Sequence, residues 1–135
     1  MLVKLSSRDS NVGKGLSVVT VRIGNNIAYC EVPGSDQEQK IGLKNRDFLA
    51  THRGMLFHTH GRYMPLFTMD SVLFDLDAIF VGNDSKIKDI ITMKKLDGST
   101  AYTSSKRVPI KYVIELGGGV CKRNGIKAGD IVYIN

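Results

Sequence analysis

The chain has 135 residues, of which 42% are hydrophobic and 24% are charged, and its formal net charge is +6. This length fits one domain, and the composition excludes a disordered chain, a collagen-like chain and a cysteine-rich miniprotein. No apolar stretch approaches the roughly 20 residues of a membrane span, and residues 1–5 lack the apolar run of a signal peptide. The sequence therefore predicts a cytoplasmic location.

The first part of the chain predicts a hairpin followed by a short helix. Over 17–24, apolar and polar residues alternate at the period of two that is typical of a strand. A Gly-Asn-Asn turn leads into a second strand over 27–32, and a Pro-Gly pair ends the hairpin. Ser35 or Asp36 is predicted to cap a helix over 37–43.

Short strands dominate the rest of the prediction. The strongest pattern has an apolar residue at every second position from Val72 to Phe80. Pro109 cannot donate a backbone hydrogen bond, which predicts that its strand starts at a sheet edge. The predicted strands are 55–57, 63–69, 71–81, 86–93, 107–116 and 131–134.

The C-terminal region combines glycines with one helical turn. Three glycines at 117–119 precede a predicted helical turn over 120–124, which Gly125 ends, and Gly129 predicts a tight turn. In total, we expect seven or eight short strands and one or two short helices. This pattern predicts an all-β fold, a mainly antiparallel β-sandwich or barrel-like domain.

Four stretches of the chain resemble motifs of the family called domain of unknown function 192 (DUF192), in the same order and spacing. They read Gly-Leu-x-x-Arg from Gly42, Gly-Met-Leu-Phe from Gly54, Leu-Asp-x-x-Phe from Leu76, and a tail that starts with Tyr-Val-Ile-Glu-Leu at Tyr112. The motif residues with an expected structural role are Gly54, Met55, Leu56, Phe57, Leu76, Asp77, Glu115, Gly125, Gly129 and Asp130.

This resemblance implies a compact, mostly antiparallel β domain over 17–135, and it leaves 1–16 outside the match as an N-terminal arm. It implies no particular reaction. Bacteria, archaea and phages all carry such proteins, so the resemblance is also compatible with a phage-encoded member.

One segment departs from the family pattern. Where the family has Phe-Trp-Met-Lys-Asn-Thr, this chain has Phe-Thr-Met-Asp-Ser-Val over 67–72, and Asp75 stands in place of a proline. If this polar patch lines a pocket that the family shares, the pocket is altered in this chain. The departure favours a structural or interaction role over catalysis.

Two histidines suggest a metal site as one alternative. His58 and His60 would point to the same side of a strand, and Asp77 could add a carboxylate, a ligand set that suits Zn or Fe. This set would support a metal-assisted hydrolase. The interpretation that we favour is surface or loop histidines and a structural Asp77 that accepts backbone N–H bonds near a strand end. Asp75 and Asp77 could also form an acid–base pair.

The glycine-rich turn suggests a second alternative, a small-ligand domain that binds a sugar or an anion. The backbone N–H groups of Gly118 and Gly119 would precede a helical turn that carries Lys122 and Arg123. Amide groups at a helix start attract anions. We favour the simpler interpretation, in which the glycines form a bend between a strand and a helical turn.

We therefore predict a non-catalytic binding or assembly module with protein partners, as a homo-oligomer or part of a larger assembly. A virion accessory protein, such as one that decorates a capsid, is the specific role that we expect. We expect no cofactor, no nucleic-acid partner and no membrane partner. Cys30 and Cys121 belong to no Cys-x-x-Cys motif, which predicts two reduced thiols.

Overall fold

A computed structural model describes residues 16–135, and the predicted N-terminal arm therefore lies, except for Leu16, outside the described residues. Within them the chain is mostly β, as predicted, with seven strands and two short helices. The strands are β1 (Ser17–Ile23), β2 (Asn26–Val32), β3 (Arg53–Tyr63), β4 (Leu76–Gly82), β5 (Ile87–Met93), β6 (Pro109–Gly117) and β7 (Val132–Ile134). The helices are α1 (Asp36–Ile41) and α2 (Val120–Arg123).

The seven strands form one sheet in the order β5-β4-β6-β3-β2-β1-β7. All neighbouring pairs are antiparallel except β2 and β3, which are parallel. The two edges of the sheet meet at one end, where the Val132 N–H donates to the Ser85 carbonyl at 2.8 Å and the Ile87 N–H donates to the Asp130 carbonyl at 2.9 Å. The sheet is therefore a half-barrel curled on itself instead of two stacked layers.

Each face of the curled sheet buries its own apolar cluster, because side chains alternate between the faces along every strand. The concave face buries Val21, Ile23, Leu56, Ile79, Ile114, Cys121, Ile126 and Val132. The convex face buries Met55, Phe57, Ala78, Phe80 and Val113 beneath the loop residues Leu43, Met69 and Val72. The convex face is thus covered by connecting segments, and a pocket forms among these segments.

Helix α1 is one of these covering segments, and its start follows the prediction. The Glu38 N–H donates to Ser35 Oγ at 3.0 Å, and the Ser35 N–H donates back to Glu38 Oε1 at 3.0 Å. This reciprocal cap lowers the pKa of the Glu38 carboxyl, because backbone N–H groups stabilise its charge. In the range 16–135 no helix is long and apolar enough to cross a membrane.

Two predicted strands differ from the structure: the strand predicted over 63–69 is absent, and the strand predicted over 71–81 begins only at Leu76. Residues 64–75 form an irregular loop. Within this loop only Phe67 makes a β-type pairing, an isolated antiparallel bridge to Tyr102. Met64 and Ser71 have φ angles of 52° and 61°, which an extended strand does not allow. Val72 is nevertheless buried, because the loop packs it onto the convex cluster.

The predicted edge position of Pro109 is also wrong. Strand β6 lies inside the sheet between β3 and β4. Pro109 is its first residue and pairs with Tyr63 at the end of β3. A proline is tolerated at the first residue of a strand even in a central position, because few ladder hydrogen bonds are needed there.

Candidate functional site

A pocket of about 560 Å³ lies on the convex face, and we call it the outer pocket. Its upper wall comes from α1 and the residues just after it, and its side walls come from the end of β3 and from 65–68. The carboxyl group of Glu115 on β6 lies at the sheet surface below these walls. The outer pocket therefore joins covering segments from three parts of the chain over one acidic side chain.

Glu115 is a buried carboxyl group, and no residue among 16–135 serves as its partner. Its side chain stands opposite Met55 on β3 and Ala78 on β4, and only 5% of the residue is exposed. Within residues 16–135 its carboxyl makes no hydrogen bond or ion pair. Burial raises the pKa of Glu115 to about 8, because a low-dielectric environment disfavours the charged form. Glu115 is therefore mainly neutral at pH 7 and offers an O–H donor.

A second buried glutamate on the same face, Glu31, differs from Glu115 in having an arginine partner. Glu31 stands opposite Met55 on the other side of β3, and it is 2% exposed. Both terminal nitrogens of the Arg46 guanidinium donate to the Glu31 carboxylate oxygens, at 2.6 and 2.9 Å. This bidentate geometry is the strong form of the pair. The fold thus supplies an arginine to one buried glutamate and opens a pocket at the other.

The rim of the outer pocket carries more positive than negative charge. Lys40, Lys44 and Arg62 line it together with a single described acidic rim residue, Asp36. Lys44 is 3.8 Å from Asp70, whereas the cationic groups of Lys40 and Arg62 have no acidic partner in the described part of the chain. The electrostatic field at the entrance therefore favours a negatively charged ligand.

The inner walls of the outer pocket are apolar. The rings of Phe57 and Phe67 meet edge to face with their centroids 5.3 Å apart, and both line the pocket. Phe67, Thr68 and Val72 belong to the stretch 67–72 that departs from the family pattern. The altered stretch is therefore part of a pocket wall in this chain.

The structure does not bring the three predicted metal ligands together. The imidazole rings of His58 and His60 stack with centroids 6.0 Å apart, and His58 also packs edge to face on Tyr112 at 5.0 Å. Asp77 lies elsewhere, and no group of three His, Cys, Asp or Glu side chains within 16–135 could hold a metal ion. His58 is also one of the residues that line the outer pocket, although its ring packs on Tyr112.

Asp77 instead occupies the predicted anion site. Its carboxylate accepts the N–H of Gly119 at 3.1 Å, the N–H of Cys121 at 3.0 Å and the hydroxyl of Thr92 at 2.9 Å. The Gly118 N–H donates to the Asp75 carbonyl at 2.8 Å. The amides at the glycine-rich turn are therefore used within the protein, and the anion that they bind is Asp77.

Of the two basic residues predicted for that anion site, Arg123 lines a different pocket, described below, and Lys122 does not line that pocket. The nearby Cys121 and the distant Cys30 are buried free thiols, as expected. Burial raises the pKa of each thiol to about 12, so neither is a thiolate nucleophile at neutral pH.

Sequence comparison identifies the family. The family model DUF192, described as an uncharacterised family, matches residues 19–134. The chain belongs to DUF192. Among curated proteins none matches this DUF192 chain.

Two solved structures resemble this DUF192 protein. A protein of unknown function from Novosphingobium aromaticivorans is 31% identical, with a TM-score of 0.74 over 87% of this chain and 84% of that one. A protein from Sinorhizobium meliloti described as a "putative transcription regulator" is 24% identical, with a TM-score of 0.81 over 90% of this chain and 97% of that one. The second likeness shows the shared fold alone.

The DUF192 motif glycines have structural reasons in this fold. A Cβ atom at Gly54 would lie 2.7 Å from Leu116 Cδ2 and even closer to the Glu115 carbonyl oxygen, because β3 and β6 approach closely there. Gly125 and Gly129 have φ angles of 68° and 94°, which favour glycine. The remaining motif residues Met55, Leu56, Phe57 and Leu76 are buried, and Asp130 accepts the Lys127 N–H at 3.0 Å.

The sequence named Glu115 only as a motif residue and missed the outer pocket. The available signal was a single acidic residue in an otherwise apolar strand: Val113 and Glu115 point to the same side of β6, and Val113 is fully buried. A lone carboxyl on a core-facing side predicts either a hidden partner or a site. The covering residues Lys40, Arg62 and Phe67 left no comparable signal.

Proposed function

We propose that this protein binds a small organic molecule in the outer pocket, where the neutral carboxyl of Glu115 donates a hydrogen bond to an oxygen of the ligand. The supporting observation is that this buried carboxyl has no partner within 16–135. Buried polar groups in native proteins are nearly always hydrogen-bonded, so an unmatched donor in a pocket favours an acceptor from outside the chain.

The rim and walls favour a particular class of ligand. Lys40 and Arg62 face the entrance without acidic partners among the described residues, which favours an anionic group at that end of the ligand. Phe57 and Phe67 favour an apolar or ring-bearing middle part. The volume of about 560 Å³ suits a small metabolite. A hydroxy acid or a phosphorylated or acidic sugar has all three features.

The proposal is tested by ligand binding at two pH values. A panel of hydroxy acids, uronic acids and sugar phosphates is screened at pH 7 by thermal shift, and hits are titrated by calorimetry. Glu115→Met removes the donor and should weaken binding by roughly tenfold or more. Glu115→Gln keeps an N–H donor and should retain binding. Wild-type binding should weaken between pH 7 and 9 as Glu115 ionises, whereas Glu115→Gln should not follow this trend.

The rim is tested separately with a matched pair of charge changes. Arg62→Gln should weaken the same ligand, whereas Lys106→Gln, an exposed change outside the pocket lining, should not. Equal affinity of the wild type and Glu115→Met, or tighter wild-type binding at pH 9 than at pH 7, would contradict the proposal.

The assembly role and the virion role predicted from the sequence stay predictions. Neither the fold nor the family supports a virion protein in particular, and partner chains are a separate question from the outer pocket. Size-exclusion chromatography with light scattering measures the predicted homo-oligomer directly. A monomer at high micromolar concentration would remove that prediction and would leave the ligand proposal intact.

A further inference from the structure

A second cavity opens where the half-barrel ends, and we call it the barrel-mouth pocket. It has a volume of about 310 Å³ and lies between the β1–β2 hairpin, the segment 49–53 and α2. Ala28, Leu116 and Ile126 of the concave cluster form its apolar base. It shares no lining residue with the outer pocket, and the mouth of a barrel is a common place for a ligand site.

Most polar groups of the barrel-mouth pocket are used in holding the fold together. The Asn26 side-chain amide donates to the carbonyls of Ile23 and Asn124, at 3.2 and 3.3 Å, which ties the hairpin to the end of α2. His52 Nδ1 lies 3.2 Å from the Ile27 carbonyl oxygen. These groups shape the mouth and are not free for a ligand.

Two arginines of the barrel-mouth pocket are not used in this way. Arg53 and Arg123 are among the residues that line the barrel-mouth pocket, and neither side chain makes a hydrogen bond or an ion pair with another residue of 16–135. Arg123 packs across Gly119, where an added Cβ would lie 2.6 Å from Nη1. No aspartate or glutamate is found among the described residues that line this pocket. The pocket therefore combines two unpaired positive charges with an apolar base.

We propose that the barrel-mouth pocket binds an organic acid with an apolar body, such as a medium-chain carboxylate. The carboxylate lies between Arg53 and Arg123, because a guanidinium group matches the planar geometry of a carboxylate with paired N–H donors. The apolar body lies against Ala28, Leu116 and Ile126. This site is additional to the outer pocket and does not depend on the function proposed for it.

The first experiment separates the charge from the apolar body. Octanoate, 1-octanol and acetate are titrated into the full-length protein at physiological salt and followed by two-dimensional NMR. We expect octanoate to bind with a dissociation constant of about 1 mM or lower, with shifts at the amides of 26–28 and 120–126. Octanol lacks the charge and acetate lacks the chain, so each should bind at least roughly tenfold more weakly.

The second experiment assigns the binding to the two arginines. Arg123→Gln and Arg53→Gln should each weaken octanoate roughly tenfold. Lys122→Gln is the matched control, because it removes the same charge from the neighbouring residue of α2 but does not line the pocket. Lys106→Gln is a second control, because Lys106 is exposed and lines neither pocket, and it should leave octanoate binding unchanged.

Three results would overturn the proposal. The first is no octanoate binding at 10 mM, and the second is equal weakening of octanoate binding in Lys122→Gln and Arg123→Gln. The third is that octanoate changes the chemical shifts of outer-pocket amides instead of those at the barrel mouth. Arg53 is half-buried at the start of β3, so its variant is first compared with the wild type by its NMR spectrum. Arg123 is exposed, so Arg123→Gln decides the outcome if Arg53→Gln does not fold.

Discussion

Glu31 and Glu115 lie on the same face of the sheet, one on each side of Met55, and they differ in what the chain supplies to them. Arg46 balances the charge of Glu31, whereas the raised pKa of Glu115 keeps that side chain mainly neutral. A neutral buried acid is costly to ionise. The free energy of unfolding should therefore depend on pH through the ionisation of Glu115.

We predict that the free energy of unfolding falls as the pH rises from 4.5 to about 8. In this window the folded state holds the Glu115 proton, because its pKa is raised from 4.5 to about 8, and the unfolded state releases it. Stability falls with pH wherever the folded state binds more protons, here by about 1.4 kcal/mol per pH unit. Urea unfolding of the wild type and of Glu115→Gln at several pH values measures the difference.

A surface glutamate provides the control for this pH dependence. The pKa of Glu38 is lowered by its helix cap, so its stabilising effect is lost only below pH 4.5. Glu38→Gln should therefore leave the slope between pH 5.5 and 8 as in the wild type. A wild-type slope that persists in Glu115→Gln would show that another group titrates in this window.

At the scale of elements, Asp77 fixes the turn that connects β6 to α2. Its carboxylate accepts two backbone N–H groups and one hydroxyl, and the side chain is almost fully buried. Without this carboxylate both amides would lose their acceptor, and the amide of Cys121 is buried. The carboxylate thus acts as a built-in cap for a helix of four residues.

We predict that Asp77→Asn destabilises the protein by about 2–4 kcal/mol, because an amide nitrogen replaces one acceptor and leaves a buried N–H without a partner. Urea denaturation measures the loss. Asp84→Asn is the control: Asp84 also accepts a backbone N–H, from Lys86 at 3.1 Å, but it is exposed. A similar loss in both variants would show that burial of Asp77 is not the cause.

The elements that were predicted well are those whose local pattern has one structural meaning. The hairpin of β1 and β2 pairs in register from Ser17↔Val32 to Ile23↔Asn26, and the cap at Ser35 is as expected. The stretch before β4 was misjudged, because alternating apolar residues are buried equally well by a strand and by a loop that lies on a sheet. Only the positive φ of Ser71 separates the two cases.

The site was harder to predict than the fold for a related reason. Asp77 was named as a metal ligand or as a structural acceptor, and the sequence could not choose, because its partners at Thr92, Gly119 and Cys121 are distant in the chain. The two unpaired arginines of the barrel mouth likewise come from β3 and α2. Long-range proximity of this kind leaves no local pattern.

At the scale of the whole molecule, the half-barrel closes through a few backbone hydrogen bonds near its C-terminus. The Gly129 N–H donates to the Ile87 carbonyl at 2.8 Å, beside the two bonds that join 85–87 to 130–132. This closure buries Val132 and Ile87 on the concave side. The sequence predicted most of the strands but not this closure, because strand order is decided by packing between distant segments.

We predict that Gly129→Ala opens this closure locally. Gly129 has a φ of 94°, and a residue with a Cβ is strained there by about 1–2 kcal/mol. Hydrogen exchange should become faster at the amides of Ile87 and Val132, with little change in β3 and β6. Gly98→Ala, a positive-φ glycine in the loop between β5 and β6, is the control and should leave those two amides protected.

The single parallel pair, β2 with β3, has a consequence for how this domain diversifies. Two parallel neighbours need a crossover, and here residues 33–52 make it. One half of this crossover roofs the outer pocket and the other half borders the barrel mouth, while Arg46 anchors it to Glu31. Sequence changes within this one crossover would alter the lining of both cavities together and would leave the strands of the sheet unchanged.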